Sequence, residues 1–393
     1  MSAAQQKIII VGAGMIGLSM ALGLRQQGHR VDVVERGERP EYGDQPELRV
    51  SALAHHSRRL LQRLGVWQQL PTARLGPYTG MEVWDHDSFG RIEFHANEVN
   101  EDDLGAIVEN RVLEQVLWDA ALKAGVTIHA NTEVAAHEVS EQQASVTLQP
   151  TAGSAQGQRL SADFLIAADG NRSTIRERAR LPLSFWDYEQ TGIVAVIQTE
   201  LPHQGVARQV FLPTGPIAWL PLNNPHQVSL VWSADTERAA QLQNCSDQNF
   251  ISQLQAASDN CLGQLQLASQ RAGFPLRMQY AQRWMQQRLL IIGDAAHSIH
   301  PLAGQGANLG FGDVIDLLAV FAHANGQPNK RALRGWERQR KAAAVTMISA
   351  MEAFKRGFGT SNPFAKLVRG IGLHMANTTK PLKRLLVKAA LGE

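Results

Sequence analysis

The chain has 393 residues, 44% of them hydrophobic and 19% charged, with a formal net charge of +2. That is enough chain for one large domain or two intertwined ones, and a balance so near neutrality gives no reason to expect a nucleic-acid partner. Two cysteines, Cys245 and Cys261, form no paired framework and no CxxC spacing, which points to a reducing compartment and to no metal.

Lys7–Val11 (KIIIV) is an apolar run of strand length, too short for a signal peptide, and it leads straight into glycines. Met15–Gln27 reads as a helix ending at Gly28, and Arg30–Val34 (RVDVV) as a second strand, so the chain opens on a β-α-β unit. Val112–Ala124 has Leu113, Val116, Leu117 and Ala120 on one helical face. Phe164–Ala167 and Leu289–Ile292 are further buried-strand candidates. Between them Ile193–Thr199, Gln209–Leu212, Ala218–Leu220 and Gln227–Trp232 are short segments separated by Pro, Gly and Asn turns. They predict an antiparallel sheet inserted into the α/β part. Pro150–Gln158 reads as a loop and the last 50 residues as helical. Nowhere do 18 apolar residues run together, so no spanning helix is expected and the location predicted is cytoplasmic.

Gly12-Ala13-Gly14-Met15-Ile16-Gly17 fits GxGxxG directly after a strand and at a helix start. Gly12 permits the tight turn, Gly14 lets the backbone approach a pyrophosphate, and Gly17 allows close helix–strand packing. The phosphates then meet the unpaired N–H groups and the dipole of the helix N-terminus. Glu35 ends the second strand, where a carboxylate can accept from ribose hydroxyls, and Arg36 follows it. This unit alone leaves NAD and FAD open. Arg288–Asp313 (RLLIIGDAAHSIHPLAGQGANLGFGD) supplies a second strand–turn–helix, with Gly293-Asp294, Pro301, Gly304-Gln305-Gly306 and Asn308. An Asp at a strand end suits a sugar-like hydroxyl chain, and a glycine turn before a helix offers N–H groups to an anion. The ribityl chain and the N1/O2 edge of a reduced flavin need those two things, which selects FAD.

With the Asp169-Gly170 segment (ADFLIAADGNRSTIR) between them, these stretches resemble the three motifs of single-component (class A) flavoprotein aromatic hydroxylases. Leu48–Leu53 (LRVSAL), Gly65-Val66-Trp67, Met81–Gly90 (MEVWDHDSFG), Val108–Arg111 (VENR), Phe185–Tyr188 (FWDY), Ala207–Phe211 (ARQVF) and His300–Asn308 (HPLAGQGAN) are similar to the aerobic ubiquinone-biosynthesis hydroxylases, most of all to the branch acting on 2-polyprenylphenol. The resemblance covers almost the whole chain. It implies a p-hydroxybenzoate hydroxylase-like α/β fold: a discontinuous Rossmann-like FAD-binding domain (1–72, 98–180 and 281–345), an antiparallel-sheet substrate domain (73–97 and 181–280) and a helical C-terminal region (346–393). It places Asp169 and Gly170 near the FAD pyrophosphate and the route of the nicotinamide donor, and Asp294 on the ribityl chain. Pro301, Gly304, Gln305 and Gly306 fall against the isoalloxazine, and Arg49 and Arg111 in the cofactor region, where permanently charged guanidinium groups suit phosphate.

The implied reaction uses NADPH or NADH and O₂ to hydroxylate a polyprenylphenol ortho to its hydroxyl, with most of the chemistry belonging to the flavin and the substrate. No acid or base residue stands out. His297 and His300 are open to either a proton relay or a backbone hydrogen bond, and His55, His56 and Tyr188 carry a weaker signal. Trp219 and Trp232 can line a ring pocket or be plain core. From Ala353 to Gly392 there are eight Lys/Arg and no acid, with Phe364, Leu367, Val368 and Ile371 at helical spacing, so the tail suits either an anionic lipid surface at the inner membrane or a dock on the body. Other ubiquinone-biosynthesis proteins and a second copy are compatible partners. The competing functions are an NAD(P)-linked dehydrogenase, a sister hydroxylase acting at another ring carbon, and a non-catalytic FAD-bound scaffold. The WxWxIP signature of flavin-dependent halogenases is absent from all eight tryptophans.

Overall fold

Ile8, Ile9 and Ile10 have no exposed surface, as expected of a strand inside a sheet covered on both faces. The computed structural model describes residues 5–152, 157–299, 306–324 and 326–358. In it Lys7–Val11 lies near the centre of a six-stranded sheet, with Phe164–Ala167 on one side and Arg30–Val34 on the other. Leu289–Ile291 pairs beyond Phe164–Ala167 and Thr127–His129 beyond Arg30–Val34, all parallel. Met285–Gln286 adds an antiparallel edge. Strands joined by helices thus bring the ends of three distant segments, at Gly12, Ala168 and Gly293, to one edge of the sheet.

Two glycines at that edge are obligatory for different reasons. Gly12 has φ +104°, and a Cβ there would come 2.4 Å from the Ala168 carbonyl oxygen. At Gly17 a Cβ would come 2.0 Å from the Gly12 carbonyl oxygen, so only a hydrogen lets helix Met15–Gln26 sit on the turn. Helix Gly306–His323 packs beside it, and helix Lys330–Phe358 packs in turn on that helix.

The second large sheet has nine strands. Its main path runs His297–Ser298, Ala272–Ala281, Leu183–Thr199, Gln227–Asp235, Gly215–Pro221, Val206–Leu212, Gly80–Asp85, Arg91–His95. The pairing is antiparallel except between Val206–Leu212 and Gly80–Asp85. Alternation decides which side chains face what. Ile193, Trp232 and Ile217 are register partners on one face, packed with Trp219 and with Phe250 under helices Thr236–Asn244 and Asp247–Ala257. Val194, Val231 and Ala218 share the other face, toward a three-stranded sheet of Val50–Leu53, Gly105–Glu109 and Leu75–Tyr78.

The sequence expectations fare well for the parallel strands and less well elsewhere. Helix Asn110–Lys123 begins two residues before the predicted Val112, because Asn110 and Arg111 already turn helically out of strand Gly105–Glu109. The inserted strands are longer than their apolar cores; Leu183–Thr199 runs 17 residues. Two helices within the predicted sheet region escaped notice, being polar on their outer faces, and so did the hairpin strands Thr132–Val139, Ala144–Pro150 and Gln158–Ala162. His300 and residues 301–305 lie outside the described residues, as do 153–156 of the predicted loop and 359–393 of the basic tail.

Gly14 and Gly17 should differ widely in their tolerance of a single methyl group. Gly14 faces open space, with only Glu114 Oε1 at 3.9 Å from a built Cβ. Gly17→Ala is expected to destabilise the FAD-free protein by about 3 kcal/mol or more, and Gly14→Ala by about 1 kcal/mol or less, in urea unfolding monitored by circular dichroism.

Candidate active site

A cleft of about 490 Å³ opens where the two large sheets meet. One end is polar and built from turns: Gly14, Arg49, Asn110, Glu114, Gly170, Asn171, Gly293 and Asp294 line it. The other end is apolar, walled by Val194, Val231, Phe274 and Leu276 from the inner face of the nine-stranded sheet. The first residues of two helices, Met15 and Ile16 of one and Gly306 and Ala307 of the other, also reach it. Two helix N-termini aimed at one space favour an anion there.

The polar end is held in place by groups behind it. Gly293 takes φ +59° and donates its N–H to Asp313 Oδ2 at 3.0 Å. Asp313 is fully buried; the same oxygen lies 2.6 Å from His297 Nε2, and Oδ1 accepts from Arg340 Nε at 2.8 Å. Burial alone would raise the Asp313 carboxyl, but His297 and Arg340 outweigh it and hold the group below its ordinary value. Arg176, 6% exposed, donates to Asn171 O and to Ala295 O, both at 2.9 Å, tying the Asp169-Gly170 turn to the Gly293-Asp294 turn. Asp169 itself caps the following helix, accepting from Thr174 N at 2.9 Å through Oδ2. Its Oδ1 is buried without a partner among the described residues.

Asp294 lies deep between protein walls yet open to the cleft. Burial raises its carboxyl, with His297 and Arg49 pulling the other way and Asp313 adding to the rise. Glu35 reaches back to the turn, accepting from Ala13 N at 2.6 Å and Gly37 N at 2.8 Å. Arg36 is exposed close by. Arg49 lies 5.8 Å over the Phe274 ring at the cleft wall. Arg111 is exposed and donates to Glu41 O at 3.2 Å. Asn308 spends its amide inside the protein: Oδ1 accepts from Ala54 N and Ser57 Oγ, and Nδ2 donates to Ala52 O. Its side chain braces the start of helix Gly306–His323 against that of helix His55–Arg63. Pro301, Gly304 and Gln305 lie outside the described residues.

Among the histidines, His297 is locked on Asp313 and stacked 4.9 Å from Trp284, behind the cleft rather than on its wall. His55 is buried against Asp103, 3.0 Å away. Trp219 and Trp232 are core on the sheet face away from the cleft, and their indole N–H groups find no partner among the described residues. The face that does line the cleft carries Val194 and Val231, which only the strand register reveals. Sequence reasoning missed Glu114, Arg176, Asp313 and Arg340. Asp313 and Asp316 interrupt the otherwise apolar stretch Leu309–Leu318, and that was the available signal for Asp313, because a buried charge demands a partner.

A cofactor with a diphosphate and a polyol chain fits these residues. Space stands open at Gly14, Gly170 and Gly306, where a Cβ would meet no atom of the described residues within 3.8 Å, and a carboxyl faces the cleft at Asp294. A family model described as the FAD binding domain matches residues 5–351. The chain belongs to that family. It is 35% identical over 394 residues to 3-demethoxyubiquinol 3-hydroxylase of Escherichia coli (strain K12), covering 98% of each chain. It is 33% identical to the mitochondrial ubiquinone biosynthesis monooxygenase COQ6 of Danio rerio, covering 98% of this chain and 89% of that one. The solved p-nitrophenol 4-monooxygenase PnpA from Pseudomonas putida DLL-E4 superposes with a TM-score of 0.80 at 18% identity, over 100% of this chain and 99% of that one. Aklavinone-11 hydroxylase, solved with FAD and aklavinone, gives 0.69 at 23% identity over 91% and 70%. The chain is thus an FAD-dependent aromatic-ring monooxygenase of the ubiquinone-biosynthesis hydroxylases, with the p-hydroxybenzoate hydroxylase-like fold. NAD(P)H is the reductant typical of that family. No described helix is long and apolar enough to cross a membrane, and no group of metal-ligating side chains occurs among the described residues.

Removing the charge of Asp313 leaves Arg340 and His297 facing a neutral group in the interior. Asp313→Asn is expected to cost about 3 kcal/mol of stability near neutral pH. Because the folded carboxyl is held low, its contribution is complete above the ordinary carboxylate pKa and is lost as the pH falls. The gap between wild type and variant in urea unfolding should therefore close as the pH drops below about 4. A gap that stays constant down to about pH 2.5 would refute the charge argument.

Proposed function

We propose that the protein hydroxylates the ring of a polyprenylated phenol ortho to its hydroxyl, as a step of ubiquinone biosynthesis, with NADPH or NADH and O₂ as co-substrates. The two-ended cleft carries this reading: a turn-built anion site runs directly into an apolar wall, as a dinucleotide and an aromatic ring sharing one space require. The diphosphate is assigned to the Gly12, Gly14 and Gly17 turn with Arg49 and Arg111 near it, and the adenosine ribose to Glu35 and Arg36. Asp169 and Gly170 border the diphosphate, Asp294 takes the ribityl chain, and Gly306, with Pro301, Gly304 and Gln305 ahead of it, takes the isoalloxazine. Asn308 acts by holding that helix start. Bound FAD supplies the means to pass an oxygen atom from O₂ to an electron-rich ring.

The chain's own work is positioning. Val194, Val231, Phe274 and Leu276 clamp the ring by apolar contact and keep water from the reacting space. The backbone N–H groups opening helix Gly306–His323 offer donors to negative charge on the flavin edge. No described His, Asp or Glu reaches the apolar end, which suits a reaction whose activation comes from the phenol's own oxygen. A second reading, hydroxylation at another carbon of the same ring system, draws on the 35% identity with the enzyme named 3-demethoxyubiquinol 3-hydroxylase. Association with a membrane surface through the basic tail, and with other ubiquinone-biosynthesis proteins, would bring the enzyme to a lipid-soluble substrate.

Two measurements test this. Asp294→Ala is expected to weaken FAD binding about 10- to 100-fold in fluorescence titration, about 1.4–2.8 kcal/mol, through loss of hydrogen bonds to a charged acceptor. Expression in hosts lacking each ubiquinone hydroxylase in turn, with mass spectrometry of the accumulated precursors, should restore the step acting on the 2-polyprenylphenol. Restoration of another step would select the second reading, and restoration of none would exclude both.

A further inference from the structure

Glu114 occupies a position where an ionised carboxylate is out of place. It lies one turn into helix Asn110–Lys123 and lines the polar end of the cleft beside Asn110 and Arg49. Gly14 caps the N-terminus of helix Met15–Gln26, and a Cβ built on it would come 3.9 Å from Glu114 Oε1. The carboxyl therefore faces the very turn whose N–H groups are offered to an anion. A diphosphate bound there would meet a like charge within a few ångströms, with two helix dipoles arranged to attract anions into the same space.

The charged groups around Glu114 do not resolve the conflict by number. Arg49 approaches from the segment before strand Val50–Leu53 and Arg111 from its own helix, whereas Glu35 at the end of strand Arg30–Val34 and Glu47 oppose them. Two cations thus stand against two anions. Burial decides the outcome, pushing the carboxyl up to about 7 against the pull of Arg49 and Arg111. The nearby phosphates of a bound dinucleotide would push it further in the same direction.

We propose that Glu114 binds the cofactor as a neutral acid, donating its O–H to a phosphate oxygen of FAD held at the Gly12–Gly17 turn, so that FAD binding above neutral pH takes up a proton. A protonated carboxyl supplies one donor, whereas the ionised form supplies only acceptors and a repelling charge. The sign follows from linkage. The complex keeps a proton that the free protein loses above its own titration, so affinity falls tenfold for each further pH unit until the complex itself titrates. The inference rests on placing the diphosphate at the Gly14 turn, and the test separates the two.

The measurement is the Kd of the FAD-free protein for FAD, by quenching of flavin fluorescence between about pH 6 and 9, together with calorimetry at about pH 8 in buffers of different ionisation enthalpy. The wild type should lose about 50-fold in affinity between about pH 7 and 9 and take up about one proton at pH 8. Glu114→Gln keeps a donor that cannot ionise, and should show a flat profile and no uptake. A Glu114→Gln slope equal to that of the wild type, or a wild type that takes up no proton, would overturn the proposal. If the variant does not fold, absence of proton uptake by the wild type still overturns the proposal. Gly14→Asp puts a carboxylate on the turn itself and should bind FAD poorly at every pH. Wild-type affinity in that variant would instead show that the diphosphate does not lie at the turn, leaving the site assignment at fault rather than the role of Glu114.

Discussion

The contact on which the rest depends is the approach of Gly12 to the Ala168 carbonyl and of helix Met15–Gln26 to the Gly12 carbonyl, with no room for one methyl group at either place. This closeness makes the end of the first strand, the Asp169-Gly170 turn and the start of the first helix a single rigid edge. An anion site of backbone N–H groups needs such rigidity, because its donors have no side-chain freedom with which to adjust. The third member of the edge, Gly293-Asp294, is not held by close packing alone. It is hung from Asp313 through the Gly293 N–H, and Asp313 is in turn clamped by His297 and Arg340.

The cleft is thus organised by two different kinds of force. On the cofactor side, buried polar groups place turns whose sequences are far apart, and Asp313 and Arg176 are each satisfied by partners that would be costly to remove. On the substrate side, placement comes from a sheet whose alternate residues face opposite ways. One face of strands Leu183–Thr199 and Gln227–Asp235 carries Ile193 and Trp232 into a helix-covered core, and the other presents Val194 and Val231 to the cleft. The ring of an apolar substrate then meets a surface whose stiffness derives from the core behind it.

The polar end brings groups of both signs into one space. Helix N-termini and Arg49 invite an anion, while Glu35, Glu114 and Asp294 place carboxyl groups around the same space. Glu35 is occupied by the backbone N–H groups of Ala13 and Gly37. Asp294 and Glu114 are both raised by burial, so each carries a proton more readily than a surface acid. A site made this way discriminates against simple anions, since it rewards a ligand that also brings hydroxyls and acceptors to these acids.

The parallel strands, the turn at Gly12–Gly17 and the distant Gly293-Asp294 turn were legible in the residues alone, because each rests on local rules: a doubly buried strand is apolar, and a chain that turns without a Cβ must use glycine; the family was legible as a resemblance spread over the chain. Composition and spacing also sufficed to foresee an antiparallel insertion. The pairing of distant segments fixed which face of that insertion meets the cleft, since Trp219 and Val231 both read as core residues and register alone separates them. It likewise decided that Asn308 and His297 are braces, and that Glu114, Arg176, Asp313 and Arg340 matter at all. Their significance lies in partners far away in sequence, 119 residues for Arg176 and Ala295, and no local pattern records which buried charge will find which counterpart.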